Sequence, residues 1–289
     1  MHTTTVALAA AQPFAFDHSL SFLGSFPPSA GEQTIAPRSL TKAYALGSRA
    51  VLARVTETEA GLACALTSER PLSEAERDRV VDRVRFQLSI DDDLALFDAR
   101  ARADQAFAPL ARRWRGHHHV KFASLAEIAT WAILAQRNMR AARPVKSEIV
   151  RALGPSIVVD GGTHRAFPEP EELVDPRTLR PLVRTDAEAH AIAAAARALG
   201  DAQVVRALHA ERYDDALARL EGLPRIGPWS AAFILFRGLG RMERLAERSG
   251  PIVAAARRVY GARSERELRA VAASYGPWVG YWALYLRRT

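Results

Sequence analysis

Gly222, Gly227, Trp229 and Phe233 fall within one short stretch of this chain, and their types and spacing suit the binding of a phosphate beside aromatic rings. The run Leu223-Pro-Arg-Ile-Gly-Pro-Trp-Ser-Ala-Ala232 joins two apolar-periodic segments through a tight turn built around Gly222, Pro224 and Gly227. Ala216, Leu217 and Leu220 form the stripe upstream; Ala231, Ile234, Leu235 and Leu239 form the one downstream. A helix that begins at the turn leaves its first amide N–H groups without intrahelical partners. Such an end attracts a phosphate oxygen, and glycine lets a backbone approach closely. A helix–hairpin–helix holds DNA in this way without reading bases, with Gly222, Arg225 and Gly227 as the expected contacts. The glycines alone fit an ordinary interhelical turn; the whole pattern Leu-Pro-x-Ile-Gly-x-Trp-Ser-Ala is far more specific. Trp229 and Phe233 are spaced i, i+4 and share a helix face.

Bulk properties agree with an anionic partner. Lys and Arg number 40 against 32 Asp and Glu, a formal charge of +8. Positive charge raises the on-rate to polyanions, although a GC-rich genome also yields arginine-rich chains, and lysine occurs only at Lys42, Lys121 and Lys146. With 289 residues, 48% of them hydrophobic, the chain can fill two or three packed domains. Cys64 is the only cysteine. That excludes an intrachain disulfide framework, a Cys-rich metal site and a cysteine-held iron–sulfur cluster, and it fits a reducing cytosol. Met1–Phe16 lacks a basic n-region, the run Val6–Ala11 is short, and no segment is long enough to span a membrane. A cytoplasmic location is expected, nucleoid-associated in a bacterium, with no membrane partner. His117-His118-His119 invites a metal reading, but consecutive histidines point in different directions. A loop that follows Arg113–Arg115 and touches phosphate is expected instead, with no metal and no cofactor.

The elements that must position these residues change character near residue 90. Before it, strands are expected within Val6–Phe16, Thr34–Ile35, Ala43–Ala45, Ala50–Glu57 and Gly61–Thr67, the last two paired about Thr58–Ala60. Ser73 and Glu76 form a capping box for a helix running to about Gln87. After Ser89 the pattern is almost all helical, with Asp91–Asp93 opening the first helix and others near 104–114, 124–137, 139–153, 185–199, 201–208, 211–221, 228–239, 250–260, 264–274 and 277–287. Ser156-Ile-Val-Val-Asp-Gly-Gly162 then Thr163–Phe167 reads as a β-hairpin set between helices. The expected fold is α+β and mostly helical: a small N-terminal sheet domain over 1–90, then 91–289 as two helical lobes with a cleft, containing a helix–hairpin–helix at about 211–239.

On these residues the chain resembles the helix–hairpin–helix DNA glycosylases, and among them the 3-methyladenine DNA glycosylase II type. The resemblance covers nearly the whole length and is strongest over Phe122–Gly154, Phe167–Leu173 and Leu217–Tyr260. It implies a DNA repair enzyme of base excision, a hydrolase that removes alkylated or damaged bases from double-stranded DNA by base flipping; a monomer is expected. Gln136-Arg137-Asn138, after Trp131-Ala-Ile-Leu-Ala, would enter the duplex, with Arg137 filling the vacated space. Read without the resemblance, Gln136 is a helix C-cap contact and Arg137 a surface charge. Trp229 and Phe233 match positions that carry aromatics near the base pocket, where electron-rich rings suit a cationic alkylated base. Trp278 and Trp282 extend that pocket or pack the core.

Breaking the glycosidic bond builds positive charge on the sugar, which a carboxylate stabilises. The resemblance implies an aspartate just before the helix after the helix–hairpin–helix, and counting places it at Arg248 or Ser249. Neither is acidic, and the nearest carboxylate is Glu247, assigned here as the catalytic group. The alternatives are a carboxylate taken from elsewhere, action on easily lost cationic bases without one, or a relative that binds DNA or lesions without cutting. Bifunctional members carry a Schiff-base lysine at the position of Trp229, so no lyase activity is expected.

Overall fold

The computed structural model describes residues 1–136, 138–245 and 249–289, and in them alternating apolar residues build the N-terminal sheet. Strands β1 (His2–Leu8), β2 (Gln33–Ala36), β3 (Ser39–Leu46), β4 (Arg49–Thr58) and β5 (Gly61–Ser68) lie antiparallel in the order β1-β5-β4-β3-β2. Leu62, Cys64 and Leu66 of β5 point inward at period two. On β3 both faces are buried. Leu40, Tyr44 and Leu46 face the core under α2 (Glu74–Leu88), while Ala43 and Ala45 face a second, smaller layer. The capping box forms as expected: the Glu76 amide donates to Ser73 Oγ at 3.3 Å and the Ser73 amide to Glu76 Oε2 at 2.9 Å.

Two local expectations fail. The strand placed within Val6–Phe16 stops at Leu8, and Phe16 opens helix α1 (Phe16–Gly24). Phe16, Leu20 and Leu23, at i, i+4 and i+7, turn its apolar face to the sheet. Asp91–Asp93 precedes rather than opens its helix: Asp93 Oδ1 accepts from the Ala95 amide at 2.9 Å, and Asp92 Oδ2 accepts from the Tyr281 hydroxyl.

The helical part comprises α3 (Ala95–Ala103), α4 (Ala108–Arg113), α5 (Leu125–Ala135), α6 (Met139–Leu153), the hairpin β6 (Ser156–Val159) and β7 (Gly162–Arg165), α7 (Pro176–Leu179), α8 (Asp186–Gly200), α9 (Ala202–Ala210), α10 (Tyr213–Glu221), α11 (Pro228–Ile234), α12 (Ser249–Tyr260), α13 (Glu265–Ala273) and α14 (Val279–Leu286). Helices α5 to α11 close around Trp131, Ile133, Ile149, Ile192 and Leu235. The other lobe is discontinuous in sequence: α3 and α4 pack with α12 to α14 around Phe97, Phe107, Tyr275, Trp282 and Tyr285. A π-helical turn, Leu235–Leu239, continues α11 and straddles both, with Leu235 in the first core and Phe236 in the second. The β6–β7 hairpin seats Ile157 and Ala166 on Ala43, Ala45, Ala50 and Leu52 of the sheet.

His117, His118 and His119 cross this seam fully buried, which corrects the expectation that they touch phosphate. His118 contacts the Ser89 and Pro13 carbonyls at 2.7 and 3.0 Å. His119 Nε2 lies 3.0 Å from the Phe236 carbonyl, and its Nδ1 accepts from Arg237 at 3.2 Å, which fixes a neutral tautomer. Burial, reinforced by Arg237, holds His119 well below the ordinary histidine range, and burial with Arg288 pushes His117 down to about 2. Among the described residues no three His, Cys, Asp or Glu side chains converge as a metal site would need, and no helix is long and apolar enough to cross a membrane.

A buried ionic quartet ties the sheet to α5 and α6. Lys146 Nζ donates to both oxygens of Glu32 at 2.6 Å, to Glu127 Oε1 at 2.8 Å and to the Pro28 carbonyl at 2.8 Å, and Lys42 lies 4.0 Å from Glu32. Burial alone would raise the Glu127 carboxyl, but Lys146 and Lys42 outweigh it and hold it below the usual range. Burial alone would lower Lys146, and the two glutamates hold it above its ordinary value. The same quartet fixes α5 and α6, whose junction carries residues 136–138.

Candidate nucleic-acid interface

The interhelical turn forms where the sequence places it, with a different residue under strain. Gly222 adopts ordinary helical angles (φ −67, ψ −13), and the Leu223 and Ile226 amides donate to Leu220 and Leu223 carbonyls at 3.0 and 3.1 Å. The left-handed residue is Arg225, at φ 59. Gly227 is extended (φ −90, ψ 179), caps α11 without a side chain, and a Cβ there would meet nothing within 4 Å, so the space in front of the turn is open. Ile226 is buried and anchors the turn to the core. A left-handed conformation costs a non-glycine residue roughly 1–2 kcal/mol. Arg225→Gly is therefore expected to raise unfolding stability by about 1 kcal/mol, read as an increased urea midpoint; an unchanged or lower midpoint would contradict that strain.

Opposite the turn stands the end of α5. The Gln136 side-chain Nε2 donates to the Arg225 carbonyl, and Arg225 Nη2 donates back to Gln136 Oε1 at 3.4 Å. Asn138 caps α6, its Oδ1 accepting from the Arg140 amide at 2.8 Å. Arg137 lies outside the described residues. Between these walls runs a groove of about 610 Å³, lined by Ala135, Gln136 and Met139 on one side and by Arg225, Gly227, Pro228, Trp229 and Ser230 on the other. Its size is that of a small-molecule cleft. Met139 and Ser230 were not expected here; Met139 betrays itself only as a large apolar residue directly after a cap.

Trp229 is 42% exposed, a rare exposure for so large a ring in this chain. It stacks on Phe233 at 5.1 Å between centroids and 8° between planes, and Phe233 meets Phe122 edge-on at 6.0 Å. Phe233 covers one face of the indole, which leaves the other to the groove. Trp278 is half-buried in the second lobe beside Tyr281, at 6.0 Å, and does not line this groove. Trp282 does not line this groove either: it is 1% exposed, its Nε1 donates to the Tyr260 hydroxyl at 2.9 Å, and it borders a separate cavity of about 230 Å³ with Ile252, Ala256 and Leu268.

Glu247 and Arg248 lie outside the described residues, and Ser249 is the first residue of α12. Among the described residues no carboxylate lines the groove. Glu243 is held by Arg241 at 2.5 Å, and that guanidinium also binds the Leu208 and Glu211 carbonyls.

No family model matches the chain. In sequence it is 28% identical over 206 residues to a DNA-3-methyladenine glycosylase of Bacillus subtilis, covering 69% of this chain and 68% of that protein. In structure it superposes on the 3-methyladenine DNA-glycosylase from Archaeoglobus fulgidus with a TM-score of 0.73 at 18% identity, over 98% of this chain and 97% of that one. The 8-oxoguanine glycosylase/lyase of Clostridium acetobutylicum matches with a TM-score of 0.67 in its apo form, at 12% identity over 98% and 95%. The same enzyme in complex with double-stranded DNA matches at 0.65, with 12% identity over 94% and 90%. The chain has the fold of these DNA glycosylases, and its sequence resembles a DNA-3-methyladenine glycosylase.

Proposed function

We propose that this chain is a monofunctional DNA glycosylase that binds duplex DNA as a monomer and excises flipped-out, alkylated bases at the Trp229 groove. The observation that carries this reading is the exposed Trp229, stacked on Phe233 and facing a groove between the interhelical turn and the end of α5. A phosphate would sit in the open space before Gly227, with Arg225 beside it. Gln136, Asn138 and, on sequence position, Arg137 would fill the gap left by the base. A methylated purine carrying positive charge is attracted to the indole face. Its C1′–N bond breaks with the electron pair leaving on the base, which cancels that charge; water then adds to C1′ and loses a proton. Because a cationic base is already a good leaving group, the reaction asks less of a carboxylate than excision of a neutral base would. Glu247 keeps its assignment as that carboxylate on sequence position alone.

A second reading, a lesion binder that does not cut, is favoured by the non-acidic Arg248 and Ser249 and by the absence of a groove-lining carboxylate among the described residues. Treating methylated duplex DNA with the protein and then with alkali separates the two. Excision predicts new alkali-labile breaks; binding alone predicts none.

Lyase chemistry needs an accessible amine. All three lysines are buried away from the groove: Lys146 and Lys42 in the ionic quartet, Lys121 over the Phe86 ring and 3.9 Å from Asp92. Borohydride is therefore expected to trap no lysine adduct on abasic DNA, read by gel shift and peptide mapping; an adduct on any of the three would refute monofunctionality.

A further inference from the structure

A second groove, of about 370 Å³, opens further along α6. Arg143, Ser147 and Val150 form its floor, Gln33 and Thr34 of β2 one wall, and Thr163, His164 and Arg165 of β7 the other. Met139, at the rim of the Trp229 groove, precedes Arg143, Ser147 and Val150 at three- and four-residue spacings, so both grooves lie on one stripe of the same helix. The lining is polar and basic. Arg143 and Arg165 have no ion-pair partner among the described residues. The carboxylate of Glu32, also in the lining, is already neutralised by Lys146 and Lys42. Asp160, the acid of the β6–β7 hairpin, sits at its turn and not in the groove.

The walls are held firmly. Ile157 and Ala166 fix the hairpin to the sheet. At the junction of α6 and the hairpin, a Cβ on Gly154 would fall 2.1 Å from the Ala166 carbonyl oxygen, so the two elements pass as closely as backbone allows.

We infer that this groove is a second phosphate track, taking the backbone of the same duplex whose base reaches Trp229. Arg143 and Arg165 pair with phosphates, and Ser147 and Thr163 donate hydroxyl hydrogen bonds. The sheet domain thereby gains a role: its β2 edge and the hairpin seated on it lengthen the footprint on DNA. From Met139 to Val150 the helix rises about 16 Å, equivalent to roughly five base-pair steps. The inference rests on the DNA-binding reading above.

The test is the salt dependence of binding, followed by fluorescence anisotropy on the full chain. The probes are a duplex of about 20 base pairs with a central abasic site and two duplexes cut to about three pairs on one side or the other. For the Arg143→Gln, Arg165→Gln double variant on the long duplex, the slope of log K against log salt should fall by about 1.8, or about 0.9 per phosphate lost. On whichever truncated duplex lacks the far arm, the variant and the wild type should coincide. A wild-type slope for the double variant on the long duplex, with Arg225→Gln still weakening binding, overturns the second track and leaves the DNA reading intact. Salt-insensitive or absent binding of the wild type to every duplex overturns the DNA reading itself. Circular dichroism melting confirms that the variants fold.

Discussion

Trp229→Ala should cut the release of methylated bases by roughly 30-fold or more while leaving affinity for undamaged duplex unchanged. Base-on-aromatic stacking is worth about 1–3 kcal/mol per base, and a cationic base adds an attraction of about 0.5–2 kcal/mol; about 2 kcal/mol corresponds to the stated factor. The effect is confined to the lesion because the groove face of the indole makes no phosphate contact in this scheme. Its exposure means that truncation removes little core packing. Trp229→Phe should retain most of the activity, and Phe233→Ala should lose less than Trp229→Ala, since Phe233 acts by bracing the indole. Single-turnover release from methylated duplex, alongside anisotropy on unmodified duplex, checks the pair. Equal losses in release and in undamaged-duplex binding would assign Trp229 to the backbone grip instead.

Lys146→Met should destabilise the protein by about 3–5 kcal/mol, because it leaves Glu127 and Glu32 buried without their shared cation. Lys146 is 1% exposed, and Lys42, the quartet's other cation, stands 4.0 Å from Glu32, too far to replace the hydrogen bonds that Lys146 makes. The sign of the pH dependence follows from the shifts. Glu127 is held below its unfolded value, so its contribution is present above about pH 4.3 and is lost as the pH falls through the depressed folded value. Lys146 is held above its unfolded value, so its contribution is present below about pH 10.4 and is lost as the pH rises through the raised folded value. The gap between wild type and variant should therefore be steady from about pH 5 to 9 and shrink in acid, where the stranded carboxylates protonate. Urea denaturation across pH measures it. A gap under about 1 kcal/mol at pH 7 would mean that the quartet is no better than a surface pair.

Local signals in the sequence carried over to the structure where a short-range rule governs them. The Ser73–Glu76 capping box, the β6–β7 hairpin, which turns at Asp160-Gly161, and the turn at Leu223–Ala232 are of this kind. Helix α1 shows the limit: nine residues offer little more than two turns of periodicity, and its start at Ala15 makes no side-chain cap. The partnering of α3 and α4 with the C-terminal helices has no local signature at all, being set by which apolar faces meet across the chain. Within the site, i, i+4 spacing correctly joined Trp229 to Phe233 but could not separate an indole facing a groove from one facing a core. Trp282 is buried in the second lobe, away from the groove that Trp229 lines. The glycines are the turn's visible signal in the sequence, whereas the residue in the left-handed region is Arg225, tied to Gln136 across the groove. Only the packed structure shows that link.

The most direct test of the central claim is chromatographic identification of the bases that the full chain releases from methylated duplex DNA. Excision at an electron-rich indole predicts release of the methylpurines that are cationic while bonded to the sugar, with neutral damaged bases retained, and a reduced rate in Glu247→Gln. Tight binding of the same duplex with no methylpurine released would contradict it and leave a protein that holds lesions without cutting them.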